Sequence, residues 1–298
     1  MDDAAEARVP DQPITRDSIA ADLARLGVKS GDILYLRCGL SRIGFNPREA
    51  EAVMLGAIRD VLGPSGTLIA PAFGPMSFFW QRPLAVSNRD TKPITGAFSK
   101  IVLRQPDAVR SDHPTHSFVG FGARAEKILA DHRGDRACFE PIRAVVEADG
   151  IMGLIGCVKE SPGFSTVHLA QYDLGLSQRH YLKLLFAVRQ GDENGDVFRP
   201  IESPGCSDNF GVFYKDYIED GNFTCGTVGK AWSIAVRARR AFERELEILR
   251  DDPRYPLCER PDCLSCRLTR GYNKREFPSA VAHRLVRMAR QRLKSRAK

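Results

Sequence analysis

The 298-residue chain lacks the features that direct a protein into or across a membrane. No stretch approaches the roughly 20 consecutive apolar residues of a spanning helix. The opening MDDAAEARVPDQP has neither a basic n-region nor an apolar h-region, so a cytoplasmic location is expected. The best-known nucleotide and hydrolase signatures are also missing. There is no G-x-x-x-x-G-K-[ST], no G-x-G-x-x-G after the first expected strand, no H-E-x-x-H and no G-x-S-x-G. P-loop, dinucleotide, zincin and nucleophile-elbow readings therefore lose their main support. Internal repeats and long linkers are lacking too. With 43% hydrophobic and 27% charged residues, the chain has enough apolar material for one large folded unit or two smaller ones.

The net charge of +7 suggests an anionic partner only until its distribution is considered. Residues 284–298, RLVRMARQRLKSRAK, carry seven Arg/Lys and no acid, so the remainder is balanced. A basic terminal helix with Leu285, Met288 and Leu293 near one face suits weak contact with an anionic lipid, another subunit or RNA. A solvated helix is the simpler reading, and no specific nucleic-acid partner is expected. Eight cysteines without a secretory signal read as reduced thiols. Only Cys258-x4-Cys263-x2-Cys266 has metal-like spacing. A structural zinc needs four ligands, no fourth Cys or His lies close by in sequence, and no metal is expected.

What is present is an alternation of strand and helix signals. Thr15 to Leu26 has helical apolar spacing and ends at Gly27, and Asp32 to Leu36 reads as a strand. Asn46, Pro47 and Glu49 look like the cap, first turn and capping box of a helix running to Leu62. Gly66 to Pro71 and Ile151 to Val158 are unbroken apolar runs of buried-strand length. Further helices are expected at Gly96–Arg104, Ala123–Asp131, Ser165–Leu174, Asp208–Asp216 and Val228–Leu249. Tyr181–Gln190 reads as a strand pairing with Asp196–Ile201 across GDENGD. The loop from Pro75 to Pro93 is too apolar and aromatic for a mere tether and suits a pocket wall or a subunit contact. The pattern implies an α/β fold: a central buried sheet flanked by helices on both faces.

Within it, Gly163-Phe-Ser-Thr-Val-His-Leu-Ala-Gln171 places His168 on a helix soon after a buried strand, where an imidazole can take a proton near neutral pH. One turn later stands Gln171, where acid–base logic would put a carboxylate. Several separated segments then form an ordered set. Gly31-Asp-Ile-Leu-Tyr-Leu-Arg-Cys-Gly-Leu-Ser-Arg-Ile-Gly44 and Leu62-Gly-Pro-Ser-Gly-Thr-Leu-Ile-Ala-Pro-Ala-Phe73 are followed by Arg110-Ser-Asp-His-Pro-Thr-His-Ser117 and Ala148-Asp-Gly-Ile-Met-Gly-Leu-Ile-Gly156. Ser165-Thr-Val-His168, Pro204-Gly-Cys-Ser207, Gly229-Lys-Ala231 and the Cys258/Cys263/Cys266 tail complete it. In order and spacing this set resembles the aminoglycoside 3-N-acetyltransferase family over about residues 15 to 270, leaving 271–298 as a basic helical tail.

The resemblance implies an antibiotic-acetyltransferase-like fold distinct from GNAT enzymes, acetyl-coenzyme A as cofactor, and an aminoglycoside or related amino sugar as substrate. It implies that His168 is the general base, at the histidine of the family's T-x-x-H-x-x-E, with direct transfer to the acceptor amine. Backbone amides of the loop Arg37, Cys38, Gly39 and Leu40 would serve the cofactor, and Arg110 its phosphates; Ser117 would lie near the cofactor or fix a loop. His113 reads as structural. This chain departs from the family twice. Leu36-Arg37-Cys38-Gly39-Leu40 replaces V-H-S-S-L, which removes a hydroxyl pair and admits Cys38 as a nucleophile, though no base for it is visible. Gln171 replaces the carboxylate, at a cost of about 1 to 2 kcal/mol of imidazolium stabilisation unless Asp173, Asp149 or Glu202 compensates through space. Aminoglycosides are polycationic and call for carboxylates, which occur in the candidate loops at Asp90, Glu140, Glu193, Glu202 and Asp208, but Arg37, Arg42, Arg89, Arg136 and Arg143 crowd the same regions. Three readings follow: an amino-sugar N-acetyltransferase, a same-fold acyltransferase on a nucleotide-linked or polysaccharide amino sugar, and a catalytically weakened coenzyme A-binding or scaffold protein.

Overall fold

Residues Ile33–Cys38 form a strand whose successive side chains enter two different cores. Leu34 and Leu36 pack on one face with Ile19, Leu23, Met54, Ile58 and Phe98. Ile33 and Tyr35 pack on the other with Ile142, Val145, Val167, Tyr217 and Phe242. A period of two with both faces apolar makes a strand that must be covered by helices on both sides. The computed structural model describes residues 13–46, 48–177, 185–202, 204–268 and 277–296.

In chain order the elements are α1 (Arg16–Arg25), β1 (Ile33–Cys38), α2 (Ala50–Leu62), β2 (Thr67–Pro71), β3 (Ser77–Phe78), β4 (Val86–Ser87), α3 (Ala97–Leu103), β5 (Val109–Arg110), β6 (Phe118–Gly122), α4 (Ala125–Leu129) and α5 (Pro141–Glu147). Then come β7 (Ile151–Ile155), α6 (Thr166–Asp173), β8 (Phe186–Gln190), β9 (Val197–Phe198), α7 (Tyr214–Glu219), β10 (Thr224–Val228), β11 (Ala231–Arg237), α8 (Ala238–Asp251), α9 (Leu264–Leu268) and α10 (Phe277–Arg296). The main sheet runs β10-β11-β7-β1-β2-β6-β5. Its centre, β7-β1-β2, is parallel, and both flanks are antiparallel. Helices α1 to α3 cover one face, and α4 to α8 the other. A smaller sheet joins β8 to β3, β4 and β9.

Local chemistry explains most of the boundaries. Thr15 caps α1 through a reciprocal box, accepting from the Ser18 amide at 3.2 Å while the Ser18 hydroxyl accepts from the Thr15 amide at 3.0 Å. Gly27 follows with φ 93°, as the stop signal expects. The strand expected at 66–71 and the first part of that expected at 151–158 are fully buried. The expected pairing across GDENGD is present as Arg189 opposite Val197; positions 181–184 of the expected strand lie outside the described residues.

Three expectations change. Helix α2 begins at Ala50 rather than near Asn46, because Asn46 turns its side chain onto the Arg48 amide at 3.2 Å and closes a local turn instead of capping; Pro47 is outside the described residues. The segment 208–216 splits into a 3-10 turn, Phe210–Phe213, followed by α7. The helix expected over Val228–Leu249 begins only at Ala238. Its first part is instead the hairpin β10-β11, whose Ser233-Ile234-Ala235-Val236 run extends the sheet against β7. β-branched residues in a buried run fit a strand, and pairing overrides the helical spacing that precedes the amphipathic α8. Helix α10 leaves Leu285, Val286 and Met288 exposed and is tied back by Arg287, 2.7 Å from Asp262. Among the described residues, no helix is long and apolar enough to cross a membrane.

Candidate active site

The parallel strands β7, β1 and β2 end side by side, and the crevice beyond such carboxyl ends is where α/β sheets hold ligands. A cavity of about 440 Å³ opens there. Strand β1 contributes Tyr35, Arg37 and Cys38, and continues into Gly39, Leu40 and Ser41 at the head of the 3-10 turn Leu40–Arg42. Beyond β2 come Pro71 and Phe73; the start of α3 adds Thr95 to Ser99; Cys157, Ser161, Ser165, His168, Phe139 and Ser207 close the wall.

His168 reaches this cavity because α6 follows directly on the loop from β7. Its ring stacks on Phe139 with centroids 4.5 Å apart and meets Phe210 at 4.7 Å. Gly163 makes the second contact achievable. At φ 73° an added Cβ would lie 2.1 Å from Cβ of Phe210, so only glycine lets the 3-10 turn approach the start of α6 so closely. Below it, Glu245 accepts from Thr166 at 2.6 Å and from Tyr217 at 2.5 Å, locking α6 onto α8; burial pushes its carboxyl up to about 8. Tyr35 and Ser165 share a hydrogen bond of 2.9 Å, and burial pushes the Tyr35 phenol up to about 12, so it stays protonated beside His168.

The expected cofactor residues divide into two groups. Arg37, Cys38, Gly39 and Leu40 line the His168 cavity. Arg37 spends its guanidinium on the carbonyls of Ser161 at 2.7 Å and Gly163 at 2.9 Å, bracing the loop before α6. The Gly39 amide faces the neighbouring strand, donating to the Ile155 carbonyl at 2.8 Å, so the amides turned to a ligand must be others of that loop. The Cys38 thiol is raised well above its usual range by burial and by Cys157, which keeps it protonated and removes the basis for a thiolate nucleophile.

Arg110 and Ser117 lie elsewhere. They line a second cavity of about 420 Å³ with Ser87, Asn88 and His113. Arg110 is a clamp on backbone carbonyls: it donates to Ala72 at 2.9 Å, to Arg89 at 3.1 Å and to Thr91, and its Nε bonds the Ser117 hydroxyl at 3.1 Å. Ser117 in turn donates to the Ala72 carbonyl at 2.6 Å. These bonds fix the chain beyond β2 and do not point at the His168 cavity. His113 behaves as expected of a structural residue. Its Nδ1 accepts the amides of His116 at 3.0 Å and Thr115 at 3.3 Å, and burial pushes the ring down to about 2.

Gln171 is fully buried one turn after His168 and is not part of the cavity wall. Of the three acids that would replace a carboxylate there, Asp173 is held by Arg143 at 2.9 and 3.1 Å. Asp149 precedes β7 at the opposite end of the sheet and accepts from the Arg239 amide at 3.2 Å. Glu202 is buried and accepts the Cys138 amide at 2.8 Å, immediately before Phe139 on which His168 stacks. Sequence reasoning missed Tyr35, Phe139, Ser165 and Ser207 as wall residues. Tyr35 carried a signal as the hydroxyl-bearing aromatic of β1, and Ser165 and Ser207 stood in segments that carried the family resemblance. Cys258, Cys263 and Cys266 gather as their spacing suggests, and Cys206 joins them.

Known proteins resemble this chain in sequence and in fold. The profile described as aminoglycoside 3-N-acetyltransferase matches residues 35–250. Aminoglycoside N(3)-acetyltransferase VII of Streptomyces paromomycinus is 31% identical over 269 residues, covering 80% of this chain and 92% of that protein. Aminoglycoside N(3)-acetyltransferase III of Serratia marcescens is 27% identical over 254 residues, covering 76% and 93%. In fold, the chain is similar to the apoenzyme of aminoglycoside acetyltransferase AAC(3)-IVa, with a TM-score of 0.72 at 23% identity over 88% of this chain and 99% of that one. It is similar as well to AAC-IIIb in its binary complex with CoASH, with a TM-score of 0.67 at 22% identity over 80% and 97%. The sheet order, the His168 cavity and these similarities lead to one assignment: the chain belongs to the aminoglycoside 3-N-acetyltransferase family and is an N-acetyltransferase.

Proposed function

We propose that the chain transfers acetyl from acetyl-coenzyme A directly to an amino group of an aminoglycoside or related amino sugar, with His168 as general base. The observation that carries this reading is the position of His168: in the wall of the cavity at the parallel strand ends, fixed between Phe139 and Phe210. An ammonium cannot attack a thioester, so its proton must leave, and a fixed imidazole is suited to take it near neutral pH. The new C–N bond forms as the thioester C–S bond breaks, the electron pair leaves on the coenzyme A sulfur, and the proton held by His168 passes to that thiolate. The carbonyl oxygen gains negative charge on the way and needs donors. Leu40 and Ser41 head a 3-10 turn in the cavity wall, and the first amides of such a turn have no partner within it. In this reading the carboxylate that stabilises the His168 imidazolium in place of Gln171 is Glu202, which is buried and accepts the amide of Cys138, the residue before Phe139. The CoASH complex of a protein with the same fold supports the choice of donor.

One observation favours a second reading of the acceptor. Among the described residues, no Asp or Glu lines the His168 cavity; its cation is Arg37, which keeps its positive charge there while braced on the Ser161 and Gly163 carbonyls. A polycationic aminoglycoside calls for carboxylates, whereas a nucleotide-linked amino sugar brings phosphates that a cation suits. Thiol release from acetyl-coenzyme A should be measured with aminoglycosides, simple amino sugars and nucleotide-linked amino sugars in parallel. The expected result is release with at least one class and a rise in melting temperature with acetyl-coenzyme A alone. The class with the highest kcat/KM decides the acceptor. No release with any acceptor, together with an unmoved melting temperature, would overturn the proposal.

A further inference from the structure

Four cysteine sulfurs converge at the end of the chain, although sequence spacing supplies only three of them. Cys258, Cys263 and Cys266 come from the segment after α8, and Cys206 from the loop that precedes the 3-10 turn Phe210–Phe213; the four sulfurs all lie within 4.8 Å of one another. Cys258, Cys263 and Cys266 are almost fully buried, and none of the four is placed in a disulfide. Four sulfurs set tetrahedrally around zinc at about 2.3 Å would be about 3.8 Å apart, so only a small contraction separates this cluster from a coordination shell.

We propose that Cys206, Cys258, Cys263 and Cys266 form a structural tetrathiolate site for zinc. The donor set selects the metal class: four sulfurs without oxygen or nitrogen suit zinc and other thiophilic ions, and disfavour magnesium or calcium. Binding replaces four thiol protons with one dication and releases those protons to solvent. The outer shell is in place. The Asp208 amide donates to Cys206 Sγ at 3.4 Å and the Cys266 amide to Cys263 Sγ at 3.5 Å, the kind of contact that stabilises a metal thiolate. Arg260 lies 2.6 Å from Asp208, joining the two cysteine-bearing segments and placing a cation beside a shell whose net charge with zinc is negative. Asn209 adds a bond to the Leu257 carbonyl at 3.1 Å. Four closed ligands leave no open position, so the metal holds structure rather than activates water.

Its consequence reaches the active site through the chain. Ser207, next to Cys206, lines the His168 cavity, and Phe210, next after Asn209, packs on the His168 ring. The metal therefore pins the C-terminal segment and one wall of the acceptor region together. The test is metal content by mass spectrometry on protein purified under reducing conditions with zinc in the growth medium, without added metal afterwards. About one zinc per chain is expected, with the visible absorption of a tetrahedral cobalt thiolate when cobalt replaces it. Cys206→Ser should lose most of the bound metal, while Cys225→Ser, at an exposed cysteine on β10, should retain it. If Cys206→Ser folds poorly, cobalt titration of the wild-type chain still decides. Wild-type protein without stoichiometric zinc or the cobalt spectrum, or with a disulfide between any two of the four cysteines after reducing purification, would overturn the site.

Discussion

Histidines sit against aromatic rings in two places in this molecule, and their ring nitrogens face different surroundings. His168 stacks on Phe139 at the wall of an open cavity. His113 stacks on His132 with centroids 4.8 Å apart, and His132 meets Phe118 at 5.5 Å. In the second group the ring nitrogens are already spoken for. His113 accepts two backbone amides. His132 Nε2 donates to the Ala137 carbonyl at 3.1 Å, which makes its Nδ1 the acceptor for the Ser111 hydroxyl at 3.0 Å. Stacking and burial are common to both groups; the difference is that His168 faces the cavity at the parallel strand ends, whereas Nδ1 of His113 and both ring nitrogens of His132 are taken up by hydrogen bonds within the fold.

The largest expected effect breaks this comparison directly. His168→Ala should lower kcat by about 10² to 10⁴-fold while acetyl-coenzyme A still raises the melting temperature, because a general base contributes on that scale and does not hold the cofactor. His132→Ala should do the reverse, lowering stability with a far smaller change in kcat per folded molecule, because it removes a hydrogen-bonded ring from a packed core. Parallel kinetics and denaturation of the two variants check both. Wild-type turnover in His168→Ala would remove that residue from the mechanism.

The second expectation concerns pH. Burial pushes His116 and His132 down to about 4 and His113 to about 2, with neighbouring imidazoles lowering His113 and His116 further. The folded chain holds these rings neutral, while the unfolded chain takes up protons below about pH 6.5. Between about pH 4 and 6.5 the unfolded state therefore binds more protons, and stability falls as pH drops through that window. A ring shifted from about 6.5 to about 4 corresponds to about 3 kcal/mol at the acid end, so urea midpoints should decline steeply from pH 7 to pH 5. His132→Ala should flatten that decline, and an unchanged slope in the variant would place the proton uptake elsewhere.

How much of this was legible in the sequence follows from the range of the interactions involved. The parallel core strands and α1 were readable because unbroken apolar runs, helical apolar spacing and the stop at Gly27 are local signals. His168 was singled out from the order of short segments around it, and the fold sets it in the cavity wall. The hairpin β10-β11 was not readable, since its strand character is decided by pairing with β7, far away in the chain. Arg110 was chosen on residue type, in which its guanidinium bonds to the carbonyls of Ala72 and Thr91 leave no trace. Cys206 stayed hidden because a ligand brought by tertiary packing has no spacing to detect.

The smallest expected effect concerns the carboxylate proposed to serve His168, and it separates local from tertiary reasoning once more. Sequence spacing points to Gln171 as the position where a carboxylate is missed, whereas the fold bonds the buried Glu202 to the amide of Cys138, next in the chain to Phe139. If Glu202 stabilises the imidazolium, Glu202→Gln should lower kcat by about tenfold, the equivalent of about 1.4 kcal/mol, and shift the pH profile of kcat. Gln171→Glu should then bring no gain in kcat and should cost stability, because it puts a carboxylate at a site with no exposed surface. A rise in kcat for Gln171→Glu, with Glu202→Gln unaffected, would return the role to the position one helical turn from His168 and make this chain a weakened version of its relatives. A drop in both variants would instead mean that the site already holds its working charge at Glu202, and that the amide at Gln171 belongs to the packing of α6 rather than to the chemistry.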